Sequence, residues 1–317
     1  MAQLIRSINE FPANLRGGAV AVGNFDGVHR GHAHLIGELV KMAGEQSGPA
    51  VVMTFDPPPV AVLVPERPPT LPLSTISVRS QLLGKLGVDA MMAYPTDRAL
   101  LNLAPVDFFE KVICEVLGAR AMVEGPNFRF GKDRAGDTDL LSQLCAREGM
   151  EFQVVKPEGD ETGKMISSSR IRECLKMGDV ENANAMLTEP YRIVGIVAKG
   201  QQRGRELGFP TANLEAIRCL IPQHGVYAAH AALEGQDFPV ALHIGPNPTF
   251  KESKTKVEAH VIGWEGTIYG ERLSCTLISR LRDLVTFDSP EALVSQLRHD
   301  VDSTQSRFES WKRSKTL

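Results

Sequence analysis

"AVAVGNFDGVHRGHAHLI" spans residues 19–36, and its two halves ask for different backbones. Residues 19–22 are a short run of small and β-branched apolar groups, the composition of a strand covered on both faces. Residues 23–32 set Gly23, Gly27 and Gly31 among Asn24, Phe25, Asp26, His29 and His32. Apolar residues then recur at Leu35, Ile36, Leu39, Val40 and Ala43, which is one face of a helix. A strand that ends in a glycine-rich turn and enters a helix makes an anion site. Glycine lets the backbone approach a ligand, and the helix start offers unpaired N–H groups and a positive dipole end. His29 and His32, three apart, can donate to one phosphate. The stretch is neither a GxxxxGK[ST] loop nor a GxGxxG fingerprint. A plain glycine turn carrying two surface histidines fits the same spacing.

Outward from this stretch the first half alternates. Apolar runs at 50–55, 89–94, 120–125 and 152–156 are separated by helical patterns, one of them marked by Phe109, Val112, Ile113, Val116 and Leu117. This predicts an α/β fold, a doubly wound parallel sheet whose ligands lie beyond the carboxyl ends of the strands. The character changes near "LTEPYRIVGIVAKG" (187–200). From there "RIVGIVA", "GVYAAHAAL", "FPVALHIG", "KVEAHVIGW" and "RLSCTLIS" read as strands of a small antiparallel barrel or sandwich. One helix closes it, with Ser289 as cap, Pro290 in the first turn and Leu293, Leu297 and Val301 at helical spacing. The expected domains are 1–187 and 188–317. "SWKRSKTL" (310–317) reads as a solvated tail, and the proline-rich "DPPPVAVLVPERPPTLP" (56–72) as a stiff loop.

Composition narrows the classes. The chain has 317 residues, 43% hydrophobic and 23% charged, with formal net charge −3. Such a length favours two cores over one. The balance gives no broad basic surface for nucleic acid, and no apolar run approaches the roughly 18 residues of a membrane span. Five scattered cysteines without CxxC spacing read as reduced thiols of a cytoplasmic protein. Oligomeric state is not legible.

A second phosphate-directed stretch is "KMISSSRIRECLKMGD" (164–179), where Ser167, Ser168 and Ser169 precede Arg170 and Arg172 at another helix start. A serine cap with a solvated arginine pair fits the same residues. "GNFDGVHRGH" together with "ISSSRIR" resembles the HxGH nucleotidyltransferase superfamily. With "GPNFRFGKDRAGD" (125–137) and "GRELGFPTANL" (204–214), the chain from about residue 10 to 305 resembles the prokaryotic bifunctional riboflavin kinase/FAD synthetase family.

The resemblance implies two activities. The N-terminal module would adenylylate FMN to FAD with release of pyrophosphate, and the C-terminal barrel would phosphorylate riboflavin to FMN. It implies that Gly23, Asn24, Phe25, Asp26 and Gly31 form the turn beside ATP and that His29 and His32 contact its phosphates. Ser167, Ser168, Arg170 and Arg172 would close over the triphosphate, and Asn127, Phe128 and Phe55 would lie toward the flavin. In the barrel, Gly200, Gly204, Gly208 and Pro210 would form the ATP loop. Thr211 and Asn213 are oxygen ligands suited to Mg²⁺ carried with ATP. Val257, Ala259 and Val261 alternate on one strand face, so Glu258 points to the other, and the resemblance makes Glu258 the base for the riboflavin hydroxyl. Riboflavin, FMN and ATP are the implied partners.

Four positions depart from the family pattern. Pro58 stands where histidine is usual, Gln202 where glycine is common, His243 where asparagine is common, and Ser169 where threonine is usual. Two further readings stay open on sequence, one activity alone or a non-catalytic flavin-binding protein.

Overall fold

A computed structural model of the protein describes residues 1–66, 68, 70–199, 208–246 and 255–316. By packing, the chain divides into two compact units, residues 1–70 with 74–167, and residues 71–73 with 168–317.

The first unit is built on six parallel strands, β1 (Gln3–Ile5), β2 (Ala19–Val22), β3 (Ala50–Phe55), β4 (Ala90–Tyr94), β5 (Ala121–Glu124) and β6 (Glu151–Val154). Their spatial order is β1-β4-β3-β2-β5-β6. The chain winds one way from β2 through β3 to β4, then returns to the other side of β2. The order therefore reverses between β2 and β5. Every residue of β2 and of β5 is buried, as the all-apolar run of β2 leads one to expect for a sheet covered on both faces. Helix α1 (Arg30–Glu45) covers β2 with Ile36, Leu39, Met42 and Ala43. The remaining helices of this unit are α2 (Pro59–Leu63), α3 (Ile76–Lys85), α4 (Arg98–Leu101), α5 (Pro105–Phe108) and α6 (Thr138–Arg147).

Three local features differ from the expectation. β1 was not legible, because Gln3–Ile5 is three residues long. The run of 56–72 is not loop throughout, since Pro59 opens the short helix α2 at a first-turn position that needs no N–H. The helical pattern at 109–117 is a π-helical stretch, Phe109–Val116, continuing α5, with Phe109, Val112 and Ile113 still buried.

The second unit starts with α7 (Ser168–Lys176) and α8 (Val180–Met186). Its body is a closed antiparallel barrel of β7 (Arg192–Ala198), β8 (Ala212–Glu215), β9 (Gly225–Leu233), β10 (Gln236–Gly245), β11 (Lys256–Val261) and β12 (Arg272–Arg282), in the order β10-β11-β8-β7-β12-β9. β8 begins inside "GFPTANL", whose turn residues hid it. Helix α9 (Pro290–Thr316) follows, and Ala292 N–H donates to Ser289 Oγ as the cap expectation required. α9 overruns the expected solvated tail. Trp311 stays helical because its ring packs at 3.9 Å on His230 of the barrel, beside Phe308.

Candidate active sites

The turn after β2 and the turn after β5 both leave the sheet at the point where strand order reverses, where open α/β sheets bind ligands. The first carries "GNFDGVH" and the second "GPNFRFG". Two motifs about a hundred residues apart in sequence are thus neighbours through the β2–β5 ladder.

His29 is the N-cap of α1 and His32 its third residue. The N–H of His32 donates to Nδ1 of His29 at 3.2 Å, and the N–H of His29 donates to Nδ1 of His32 at 3.3 Å. The two rings stack at 3.5 Å. Backbone donors occupy both Nδ1 atoms, so each neutral ring carries its proton on Nε2. Burial pushes the His29 imidazole down to about 4, with Asp26 opposing. Burial, then His29, then Arg79 hold His32 well below the usual histidine range. The arrangement is a stacked pair of neutral Nε2–H donors at a helix start. Gly31 makes it possible, because a Cβ there would sit 3.3 Å from Cε1 and Nδ1 of His29 and 3.7 Å from the carbonyl of Ile166. That contact also brings the segment before Ser167 to the turn.

Gly23 N–H donates to Met53 O, and Asn24 is exposed. Phe25 is buried and tilts against His32 at 5.2 Å. Asp26 is turned inward, where Oδ1 accepts from Ser74 and Arg79. Phe128 stacks on Phe130 at 5.5 Å, Asn127 is exposed and Phe55 is half-buried. Ser168, Arg170 and Arg172 lie on α7, which presents Ile171 and Leu175 to its own unit's core.

In the barrel, Glu258 stands opposite Asn213 in the β11–β8 ladder and opposite His243 in the β10–β11 ladder. Asn213, Glu258 and His243 form a polar row across three strands, all half-buried, while Val257, Ala259 and Val261 are buried on the other face. Burial lowers the His243 imidazole, and Glu258 opposes. A cavity of about 340 Å³ is lined by Val197, Pro210, Thr211, Ala259, Val261 and Trp264 among others. His260 Nδ1 lies 2.7 Å from the carbonyl of Pro210 and braces this loop from β11. Gly200, Gln202 and Gly204 lie outside the described residues, and Gly208 is exposed with φ +84°.

Thr211 and Asn213 offer a hydroxyl and an amide oxygen, hard donors of the kind Mg²⁺ accepts beside substrate phosphates. Among the described residues no group of three or more His, Cys, Asp or Glu could hold an ion by itself. The donor set therefore fits a metal brought in with a nucleotide rather than a dedicated cage.

Sequence reading missed Arg79, Ser74 and Thr54 beneath the first turn, Glu124 at the end of β5, and His260. Glu124 had one signal, an acid closing an apolar strand just before "GPNF". His260 had another, its i+2 spacing from Glu258. Arg79 had none, since one arginine in a helical pattern reads as solvated.

Comparison with known proteins agrees with both halves. Residues 11–170 match the FAD synthetase family and residues 187–308 the riboflavin kinase family. A bifunctional riboflavin kinase/FMN adenylyltransferase of Pseudomonas fluorescens is 32% identical over 300 residues, covering 94% of this chain and 96% of the relative. One from Listeria monocytogenes is 33% identical over 292 residues, covering 91% and 92%. A Streptococcus pneumoniae crystal structure, described as a macrolide-efflux protein, superimposes with TM-score 0.84 at 30% identity, covering 96% and 98%. Among the described residues of the present chain no helix is long and apolar enough to cross a membrane. The chain belongs to the bifunctional riboflavin kinase/FMN adenylyltransferase family, and it makes FMN from riboflavin and ATP and FAD from FMN and ATP.

Proposed function

We propose that residues 1–187 carry adenylyl transfer and residues 188–317 the kinase, and that each reaction runs on the side chains named above. In FAD formation a phosphate oxygen of FMN attacks the α-phosphorus of ATP. The new P–O bond forms as the bond to pyrophosphate breaks. The step needs no covalent nucleophile. It needs positioning and donors aimed at the charge that builds on the α-phosphoryl oxygens. His29 and His32 supply these as neutral Nε2–H donors, and the start of α1 adds its N–H groups. Gly23, Asn24, Phe25, Asp26 and Gly31 shape the turn. Ser167, Ser168, Arg170 and Arg172 act on the triphosphate by motif, and Asn127, Phe128 and Phe55 act on the flavin.

In FMN formation Glu258 takes the proton of the riboflavin 5′-hydroxyl as the hydroxyl oxygen bonds to the γ-phosphorus and the bond from that phosphorus to the β-phosphate oxygen breaks, releasing ADP. ATP lies beside Thr211 and Asn213, with Gly200, Gly204, Gly208 and Pro210 in its loop. Thr211 and Asn213 would hold Mg²⁺ with the phosphates. The ion, when bound, supplies charge neutralisation on the polyphosphate. The five cysteines are free thiols, which supports a reducing, cytoplasmic setting.

The single observation that carries the adenylylation assignment is the reciprocal cap of His29 and His32, because it leaves both rings no role but donation from Nε2. The test is FAD formation from FMN and ATP in His29→Ala and His32→Ala. Each should lose roughly 10²–10³-fold, as for one oriented transition-state donor. His29 is the cap of α1 and His32 lies in its first turn, each ring held by the other's backbone N–H, so both should be sensitive. Unchanged turnover in both returns the pair to a glycine turn with two imidazoles.

A further inference from the structure

The turn between β2 and α1 is strained. Phe25 and Val28 both have φ of 45° and flank Gly27 at φ 83°. A left-handed conformation is uncommon for any residue with a Cβ and an outlier for a β-branched one. Such residues persist only where their surroundings over-determine them. Phe25 and Val28 are buried, 4% and 0% exposed.

The surroundings converge on one side chain. Arg79, on α3, is buried and sends Nη2 to Asp26 Oδ1 at 2.9 Å and to the carbonyl of Ser74 at 3.1 Å. Its Nη1 donates to Thr54 Oγ1 at 3.2 Å, and its Nε reaches Ser74 Oγ at 3.4 Å. Each of these partners grips the turn. Thr54 Oγ1 donates onward to the carbonyl of Asn24 at 3.2 Å. Ser74 Oγ accepts the N–H of Gly27 at 2.9 Å, and Ser74 N–H donates to Asp26 at 3.0 Å. Three positions of the turn, Asn24, Asp26 and Gly27, are thus tied to one guanidinium directly or through one intermediary.

We propose that Arg79 is a positioning residue for adenylyl transfer, its fork holding the strained turn and through it the His29–His32 pair in the geometry that donates to the triphosphate. This rests on the assignment of that pair to the triphosphate. The planar five-donor fork is what the frame requires. A lysine ammonium could neutralise Asp26 but could not span Thr54, Ser74 and Asp26 in one plane. The Arg79 charge also adds to burial in keeping His32 neutral.

A buried ion pair that merely stabilises the fold would share these contacts, so the experiment separates the two. Full-length Arg79→Met, Arg79→Lys, the double variant Arg79→Met/Asp26→Asn, and His32→Ala are assayed for FAD formation from FMN and ATP. FMN formation from riboflavin in the same preparation and thermal unfolding are measured alongside. The double variant leaves no unpaired buried charge, so it should regain thermal stability. Its FAD turnover should stay down about tenfold or more and its KM for ATP should rise, since small misplacements of a reacting frame can cost up to roughly 10²-fold. A reduced folded fraction lowers apparent kcat and leaves KM alone, so the KM change marks positioning. Arg79→Lys should fall between wild type and Arg79→Met, with riboflavin phosphorylation unchanged throughout. Wild-type kcat and KM for FAD formation in the stable double variant or in Arg79→Lys, beside an impaired His32→Ala, overturns the role of Arg79. Wild-type FAD formation in His32→Ala overturns the site assignment and the proposal with it.

Discussion

The N–H of Val22 donates to Oε1 of Glu124 at 2.7 Å, joining β2 to β5 just beyond the last paired residues of their ladder, Val20 and Met122. The strands part at their carboxyl ends, and a side chain bridges the gap that a main-chain bond would otherwise close. The turns that follow β2 and β5 both begin within one residue of this bridge. Glu124 is 2% exposed, and burial pushes its carboxyl well above its ordinary value of 4.5, with the Val22 N–H opposing.

A sign follows for stability. The folded state keeps the Glu124 proton that the unfolded chain releases near 4.5. The contribution of this group is fully present below that pH and falls as pH rises toward the folded value, by up to about 1.4 kcal/mol per pH unit. Glu124→Gln keeps a neutral acceptor and removes the titration. Its melting temperature relative to wild type should therefore climb between about pH 5 and pH 8. A constant offset across that range would mean that Glu124 is ionised in the fold.

The imidazoles behave oppositely. A histidine held neutral in the fold binds fewer protons than the unfolded chain, so its contribution is lost as pH falls from 6.5 toward the folded value, about 4 for His29. In an NMR titration of the ring Cε1–H signals, assigned with single variants, His29 should change near 4 and His32 should stay neutral throughout the range in which the protein remains folded. A midpoint near 6.5 for either would show an open, solvated ring.

Gly31→Ala places a methyl 3.3 Å from the His29 ring. The ring must give by a few tenths of an ångström, which displaces the reciprocal cap. FAD formation should drop about tenfold or more, because displaced reacting groups lose rate steeply, while FMN formation in the same chain holds. Equal loss of both activities would point to a folding defect instead.

Glu258→Gln keeps the size of the side chain opposite Asn213 and removes its basicity. Riboflavin phosphorylation should fall roughly 10²–10⁴-fold, the usual contribution of a general base, with FAD formation from supplied FMN retained. Wild-type FMN formation would exclude Glu258 as base.

Thr211→Ala removes an oxygen donor that lines the cavity, and Asn213→Ala removes one that stands opposite Glu258. The kinase KM for ATP should rise and its Mg²⁺ requirement should shift to higher concentration. A matching change in adenylyl transfer would show that the two sites are not separable.

Much of this protein is readable in one dimension. β2, β3, β7 and β9 coincide with apolar runs in the sequence, because a strand covered on both faces must be apolar throughout and a half-covered one must alternate. The two motifs that flank the sheet reversal and the strand face of Glu258 follow from local spacing, because glycine turns, caps and strand alternation are short-range physics. What spacing could not supply is everything that depends on which distant residues meet. The tautomers of His29 and His32 come from a cap geometry that exists only once Val28 and Phe25 are forced to positive φ. That strain is sustained by Arg79, Ser74 and Thr54, which lie 30 to 53 residues from the turn residues they hold. The Glu124 carboxyl is pushed up only because the fold removes it from water, and Asn213, Glu258 and His243 form one row only after the barrel closes. Sequence determined which residue types stand at each local turn, while burial and strand register, properties of the assembled chain, decided their charge and their neighbours.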